Sequence, residues 1–181
     1  MTDTYNLESG TFINPYEMIF NLGVGYIMKN ENLNKQIGPL PTYPKCFVCG
    51  QDNLRGLRTQ FIAEEDHVFA EFVPEPFLAG YENMVHGGIA STLLDEAMIW
   101  AAYVSQGRFG VTAELAVRFR KPMIVNQPYR IIGNMVEDRK KLWIVEARIV
   151  DDQDELYASA SGKVMPMSPQ QAEKFKEQLI D

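Results

Sequence analysis

Apolar and polar residues change their spacing several times along the chain, and each change marks an element. Around "NPYEMIFNLGVGYIMKN" the apolar residues Met18, Ile19, Phe20, Leu22, Val24, Tyr26, Ile27 and Met28 recur at offsets of three and four. That spacing predicts a helix, weakened by Gly23 and Gly25. "GPLPTYPK" follows with three prolines, which predicts an extended segment that breaks any helix. From about residue 57 the period drops to two. "LRTQFIAE" and "HVFAEFVP" alternate about the turn "EEDH" and predict a hairpin. "PEPFLAGYENM" reads as a loop. "VHGGIASTLLDEAMIWAA" then predicts a helix from about Gly87 to Ser105, ended by "QGRFG". Four more strand-like runs follow: "VTAELAVRFRKP", "YRIIGNMVEDR", "KLWIVEARIVD" and "ELYASASGKVMP". In the first, Leu115, Val117 and Phe119 share a face; in the third, Trp143, Val145, Ala147 and Ile149 do. Joined by short polar turns, consecutive runs are expected to pair antiparallel. In "SPQQAEKFKEQLID", Ser168 is a good N-cap and Pro169 suits the first helical position, so a C-terminal helix is expected.

The order is therefore two strands, one long helix and four strands. Ile89, Ala90, Leu93, Leu94, Ala97, Met98, Trp100 and Ala101 leave little of that helix polar, so it must be wrapped rather than laid on a surface. A strongly curved antiparallel sheet around one helix is the simplest solution, an α+β architecture. Residues 1–44 read as an N-terminal extension, partly helical and ending in a Pro-rich linker. Residues 45–181 read as the folded domain.

Composition narrows the class. With 46% hydrophobic and 23% charged residues in 181, one globular domain is expected, large enough to need no staple. The net charge of -7 argues against sequence-independent nucleic-acid binding. "MTDTYNLESG" lacks the basic start and apolar core of a signal peptide, and no apolar run approaches the roughly 20 residues of a membrane span. A cytoplasmic setting with no membrane partner is expected.

The central helix carries the candidate chemistry. Asp95 and Glu96 are its only charges between Gly87 and Val104, and Ser91, Thr92 and Asp95 share a narrow polar stripe. A half-buried polar stripe needs partners. At the helix start, free N–H groups and the positive dipole end favour negative charge. Glycine at 87 and 88 leaves room for a carbonyl oxygen to reach those groups, so a backbone oxyanion hole is one reading and a tight entry turn the bland one. Gly87 and Asp95 are separated along the helix by roughly 12 Å. If both act on one reacting centre, Asp95 must come from a second subunit whose helix runs antiparallel across a two-fold axis. Glu96 lies about 100° around the helix from Asp95 and suits an interface pairing with arginine or lysine.

Cys46 and Cys49 in "KCFVCG" form a CxxC: half a zinc site, a redox dithiol, or a plain turn. The following "QDNLRG" favours a turn. With only His67 and His86 counted as further ligands, no metal is expected. Arg118, Arg120, Lys121, Arg139, Lys140 and Lys141 stand out in an acidic chain; phosphate binding competes with the duller reading of "EDRKK" as a solvated hairpin turn.

The run His86-Gly87-Gly88, with Asp95 nine positions after the histidine, resembles the "HGG…D" signature of hotdog-fold acyl-CoA thioesterases of the phenylacetate-pathway type. "CFVCGQDNLRGLRTQF", "TAELAVRFRKP" and "ASASGKV" resemble the same superfamily, so the likeness spans about residues 45 to 166. The resemblance implies a hotdog fold, a homodimer or a dimer of dimers, an acyl-CoA substrate and no cofactor. It implies that the Gly87 N–H polarises the thioester carbonyl, and that Asp95 of the other subunit is the nucleophile or the base activating water. Thr112, ten residues before Pro122, stands where such enzymes carry a water-orienting hydroxyl; the alternative is an ordinary strand threonine. Asn83 is the nearest candidate for the side-chain amide that such enzymes place before HGG, at a shorter spacing than usual. His86 is read as fixing the loop before the helix, or else as a substrate contact beside Gly88. Glu96 and Arg120 complete the candidate substrate-binding set. Two alternatives stand beside hydrolysis: an acyl-CoA-binding hotdog module without turnover, and a hotdog dehydratase or hydratase. Met98, Trp100, Tyr103 and Phe109 are expected to line an acyl pocket or the core.

Overall fold

The computed structural model describes residues 37–180; the helix expected near residues 15–28 lies outside them. The elements run β1 (Gly38–Pro39), β2 (Ile62–Ala63), β3 (Val68–Phe72), a 3-10 turn (Pro76–Leu78), β4 (Ala79–Tyr81), β5 (Met84–Val85), α1 (Gly87–Gln106), β6 (Gly110–Phe119), β7 (Tyr129–Asp138), β8 (Trp143–Val150), β9 (Leu156–Pro166) and α2 (Pro169–Lys176). Seven strands form one antiparallel sheet in the order β1-β2-β3-β7-β8-β9-β6, and β4 and β5 form a separate small hairpin. The sheet curves around α1 in the expected hotdog arrangement.

The helix forms and ends for local reasons. His86, with φ -61° and ψ 131°, caps its start, and Gly107 closes it in the left-handed conformation at φ 65°, donating its N–H to the Tyr103 carbonyl. Leu93, Leu94, Ala97, Met98 and Trp100 are fully or almost fully buried, as are Trp143, Val145 and Ile149 on the inner face of β8. Each large side chain of this kind contributes about 1.5–3 kcal/mol of transfer free energy. The alternation read in the third run is therefore the alternation observed. The hairpin predicted around "EEDH" forms as β2 and β3. Ser168 caps α2 in a reciprocal capping box with Gln171, and Pro169 opens the helix.

One expectation fails. The turns after β7 and β8 do produce antiparallel neighbours, but β6 does not pair with β7; it lies beside β9 at the sheet's edge. Residues 120–128 are too long and too proline-rich for a hairpin turn. They cross the mouth of the barrel half instead. There Ile124 bridges Met84, the Val85 N–H donates to the Met123 carbonyl, and the Tyr129 hydroxyl accepts from the Ile124 N–H at 2.7 Å. The "PEPFLAGYENM" loop also contains more order than its composition suggests, namely the 3-10 turn and the first strand of the small hairpin.

At the other end, Gly38–Pro39 pairs with β2, Thr42 bridges Ile180, and Leu40 and Thr42 are buried. Among the described residues no helix is long and apolar enough to cross a membrane.

Helix and sheet approach most closely at Gly133. A Cβ there would overlap the Ala97 carbonyl oxygen and lie 2.7 Å from its carbon, both helix backbone. At Gly162 the nearest atom would be the flexible end of Met98, at 3.0 Å. Gly133→Ala should therefore cost roughly 1–3 kcal/mol in chemical denaturation, as overpacked cores do, and Gly162→Ala should cost less. Equal losses would mean that the helix can shift away from β7.

Candidate active site

Three polar positions on α1 meet three different environments. At the start, the His86 Nδ1 accepts the Gly88 N–H at 2.9 Å. That leaves the neutral ring its Nε2–H as a donor. The pair also explains the second glycine, since a Cβ at Gly88 would sit 2.8 Å from Nδ1. Gly87 occupies the first helical position, where no intrahelical acceptor exists for the N–H. The Gly87 carbonyl accepts from the Ser91 hydroxyl at 2.9 Å. Of the two expected N–H donors, the histidine consumes Gly88 and leaves Gly87.

Gly87 opens onto a cleft of about 670 Å³ formed with Tyr81, Met84, Phe119, Arg120 and Met123. Arg120 and Lys121 stand on its rim, and the Lys121 ammonium is held by Glu155 at 2.7 Å. Met98, Trp100 and Phe109 do not line it. They are core residues; Trp100 packs edge to face on Tyr103 and Phe109, and Phe109 stacks on Tyr103.

Two turns further along, the Thr112 hydroxyl donates to the Asp95 Oδ1 at 2.7 Å. Thr112 sits immediately before the β-bulge of β6, which turns its side chain toward the helix. Asp95 is half-buried, and neither it nor Thr112 borders the cleft at Gly87.

Glu96 points elsewhere. Its carboxylate accepts from the Trp100 Nε1–H at 3.1 Å and lies 3.7 Å from the Cys46 sulfur. Burial first, and then the Cys46 charge, push its pKa up to about 7. Cys46 moves the opposite way, down to about 5, because the neighbouring Cys49 thiol and backbone N–H groups donate to its sulfur. No lysine or arginine reaches Glu96 among the described residues, so the expected cationic partner is replaced here by two cysteines and an indole.

Asn83 is the turn residue of the β4–β5 hairpin, with φ 58°, and its carbonyl accepts from the Val125 N–H. Asparagine tolerates that left-handed conformation better than most residues, which accounts for it without a substrate. The "EDRKK" turn is a solvated hairpin tip, where Arg139 pairs with Glu137 and Lys140 adopts φ 67°. His67 pairs with Glu64 and Asp66. Spacing alone missed the role of Phe119, whose ring would stand 3.3 Å from a Cβ at Gly87 and walls the cleft.

Residues 82–158, which contain the helix, Asp95 and Thr112, match the family model described as the thioesterase superfamily. Over this segment the chain is similar to that superfamily. An uncharacterised protein of Schizosaccharomyces pombe is 32% identical over 74 residues, which are 40% of this chain and 42% of that protein. The chain spans about half the length of the curated relatives it matches, 42% and 53%. The PaaI protein of the E. coli phenylacetic acid degradation operon superposes with a TM-score of 0.58 at 20% identity, covering 62% of this chain and 81% of that one. A Streptococcus mutans protein bound to acetyl CoA does so with a TM-score of 0.55 at 20% identity, over 61% and 89%. At such identities the superpositions establish the shared hotdog fold.

The cap gives this helix a measurable signature. His86→Ala should destabilise the protein by about 1 kcal/mol, as loss of an N-cap does. Gly88→Ala should do likewise by displacing the imidazole, and the double variant should lose less than the sum. Strict additivity in denaturant titrations would show that the two residues act independently.

Proposed function

We propose that the protein hydrolyses an acyl-CoA thioester to a free acid and CoA, using two composite sites per homodimer. The observation that carries this reading is the division of the helix: an unsatisfied Gly87 N–H faces a cleft, while the Asp95–Thr112 pair lies two turns away in the same chain. Along one helix those groups are separated by roughly 12 Å, beyond the about 3 Å that proton transfer or attack requires. A second copy with its helix antiparallel brings Asp95 of the partner subunit to the cleft.

The edge strand supports such a dimer. β6 is a ten-residue edge with Val111 at 47% and Phe119 at 54% exposure, an unprotected pairing surface of the kind monomers avoid. Its Leu115 and Phe119, which share one face, are exposed in the single chain. Pairing β6 with its two-fold mate would cover them beside both helix starts.

In this reading the thioester oxygen accepts from the Gly87 N–H as negative charge develops on it, strengthened by the helix dipole. Asp95 of the partner subunit either attacks the carbonyl carbon or takes the proton from the attacking water. The C–S bond then breaks and the sulfur leaves as CoA thiolate, which takes a proton from solvent. Where Asp95 was the nucleophile, water then hydrolyses the acyl–Asp95 anhydride to release the acid and regenerate the carboxylate. Thr112 holds Asp95 by its 2.7 Å hydrogen bond and thereby sets the carboxylate's direction. Arg120, which lines the cleft, would meet a CoA phosphate. The acetyl-CoA complex of the Streptococcus mutans relative is consistent with a CoA thioester as ligand. The engagement of the His86 Nδ1 by Gly88 argues against a dehydratase-type histidine.

The reading is tested by thiol release from a panel of acyl-CoAs. Asp95→Asn should lose the activity. Gly87→Pro removes one N–H at the helix position where proline is best tolerated, after a residue already extended at ψ 131°. It should lower kcat by about 10²–10³. Mixed dimers of these two variants should recover activity at one of their two sites; no recovery in dimers shown to be mixed would overturn the shared site. Tight CoA binding without thiol release by wild type would instead leave a binding module. Thr112→Val should reduce kcat by about tenfold or more, the value of a hydrogen bond to a charged group, with Thr112→Ser restoring it.

A further inference from the structure

The loop before β2 and the middle of α1 build a second polar site that hydrolysis does not use. Residues 43–50 form a tight turn, with the Cys46 N–H donating to the Tyr43 carbonyl and the Gly50 N–H to the Cys46 carbonyl. Gly50 cannot be replaced, because a Cβ would lie 2.6 Å from the Cys46 nitrogen and from the Pro44 oxygen. The Asn53 amide ties the Cys46 carbonyl, and the Gln51 amide the Cys49 carbonyl. The Val48 N–H donates to the Cys46 sulfur at 3.3 Å. A turn that closes on a glycine after C-x-x-C, with backbone N–H aimed at the first sulfur, prepares thiolates to converge on one point.

The third member is Glu96. One sulfur from each cysteine and one Glu96 oxygen all lie within 4.8 Å of one another. The two Glu96 oxygens are 3.7 and 3.9 Å from the Cys46 sulfur. In a tetrahedral site, zinc–sulfur bonds of about 2.3 Å and zinc–oxygen bonds of about 2.0–2.2 Å put such donors about 3.5 Å apart. The indole N–H of Trp100 orients the carboxylate from behind, as the outer partners of metal ligands do. No cationic side chain reaches the cluster among the described residues. Buried carboxylates and thiolates need a paired charge or a metal.

We propose that Cys46, Cys49 and Glu96 bind one zinc ion, with water in the fourth tetrahedral position. Two soft sulfurs with one oxygen select zinc over magnesium or calcium. Both thiols lose their protons to solvent as the sulfurs bind, and Glu96 binds as carboxylate. The ion pins the loop to α1 at the residue next to Asp95, so its role is to hold the helix rather than to act on substrate. His67 and His86 are not needed as ligands; the third protein ligand is a carboxylate on a distant element.

The test uses the full-length protein, reduced, stripped with chelator and titrated with cobalt(II). Wild type should give a thiolate-to-cobalt charge-transfer band and tetrahedral d–d bands saturating at about one equivalent, bleached by zinc. Cys46→Ser should abolish the charge transfer or weaken binding by more than about 100-fold, and Glu96→Gln should weaken it about 10–100-fold. At equal zinc concentration the Tm of wild type should rise more than that of Glu96→Gln. If Cys46→Ser does not fold, Glu96→Gln, which keeps the side-chain shape, decides. Absence of the charge-transfer band in reduced wild type, wild-type affinity in Glu96→Gln, or a Cys46–Cys49 disulfide that persists under reducing conditions would each overturn the zinc site.

Discussion

Everything in this chain depends on burying a helix that is apolar around most of its surface. A helix with one apolar stripe can rest on a flat sheet; α1 cannot, because Leu93, Leu94, Ala97, Met98, Trp100 and Ala101 point in too many directions. The sheet must therefore curve, and its inner face must let the helix come close. Gly133 meets that requirement on β7, where the strand backbone touches the Ala97 carbonyl with no side chain between. Once the helix is enclosed, any polar atom on it loses water and must find a protein partner or a ligand.

That condition orders the functional groups. His86 satisfies Gly88, Thr112 satisfies Asp95, and Trp100 with the two cysteines surrounds Glu96. Gly87 is the position whose N–H the helix leaves open, and it is also where the wrapping ends and the cleft begins. The opening and the unpaired donor coincide because the sheet covers the helix body but not its first turn. The crossing segment 120–128 lies there instead and supplies Lys121, Pro122 and Met123 to the cleft wall.

Much of this was legible from spacing. The long helix, its limits, the inward face of β8 and the capped C-terminal helix all follow from period and cap chemistry, and the HGG and Asp95 pattern singles out the helix that carries the proposed site. What period cannot provide is the partner. Alternation says which residues of "VTAELAVRFRKP" share a face, not which strand lies beside them, and so the crossover of β6 to β9 was missed. Leu115, Val117 and Phe119 stand opposite Gly162, Ala160 and Ala158 of β9, yet Leu115 and Phe119 are exposed in the single chain while Ala158 and Ala160 are buried. Residue type shows the Asn83 amide but not its positive φ, which is the turn chemistry of that position. The spacing of "KCFVCG" favours a plain turn and does not show Glu96, which the fold brings beside the cysteines from 47 positions beyond Cys49.

Asp95 and Glu96 show how far one residue of rotation can separate two identical functional groups. At about 100° per residue, neighbours on a helix face different walls. Asp95 faces β6, where a hydroxyl at 2.7 Å holds it as a hydrogen-bond acceptor beside the edge that a second subunit would cover. Glu96 faces the loop of Cys46 and Cys49, where burial raises its pKa to about 7 and thiols rather than cations surround it. A reacting carboxylate at neutral pH must be ionised and reachable from outside the chain; a metal-holding carboxylate must be enclosed and beside soft donors. Under the proposed roles consecutive residues of the wrapped helix would serve both requirements, because the sheet closes over one side of it and a loop closes over the other.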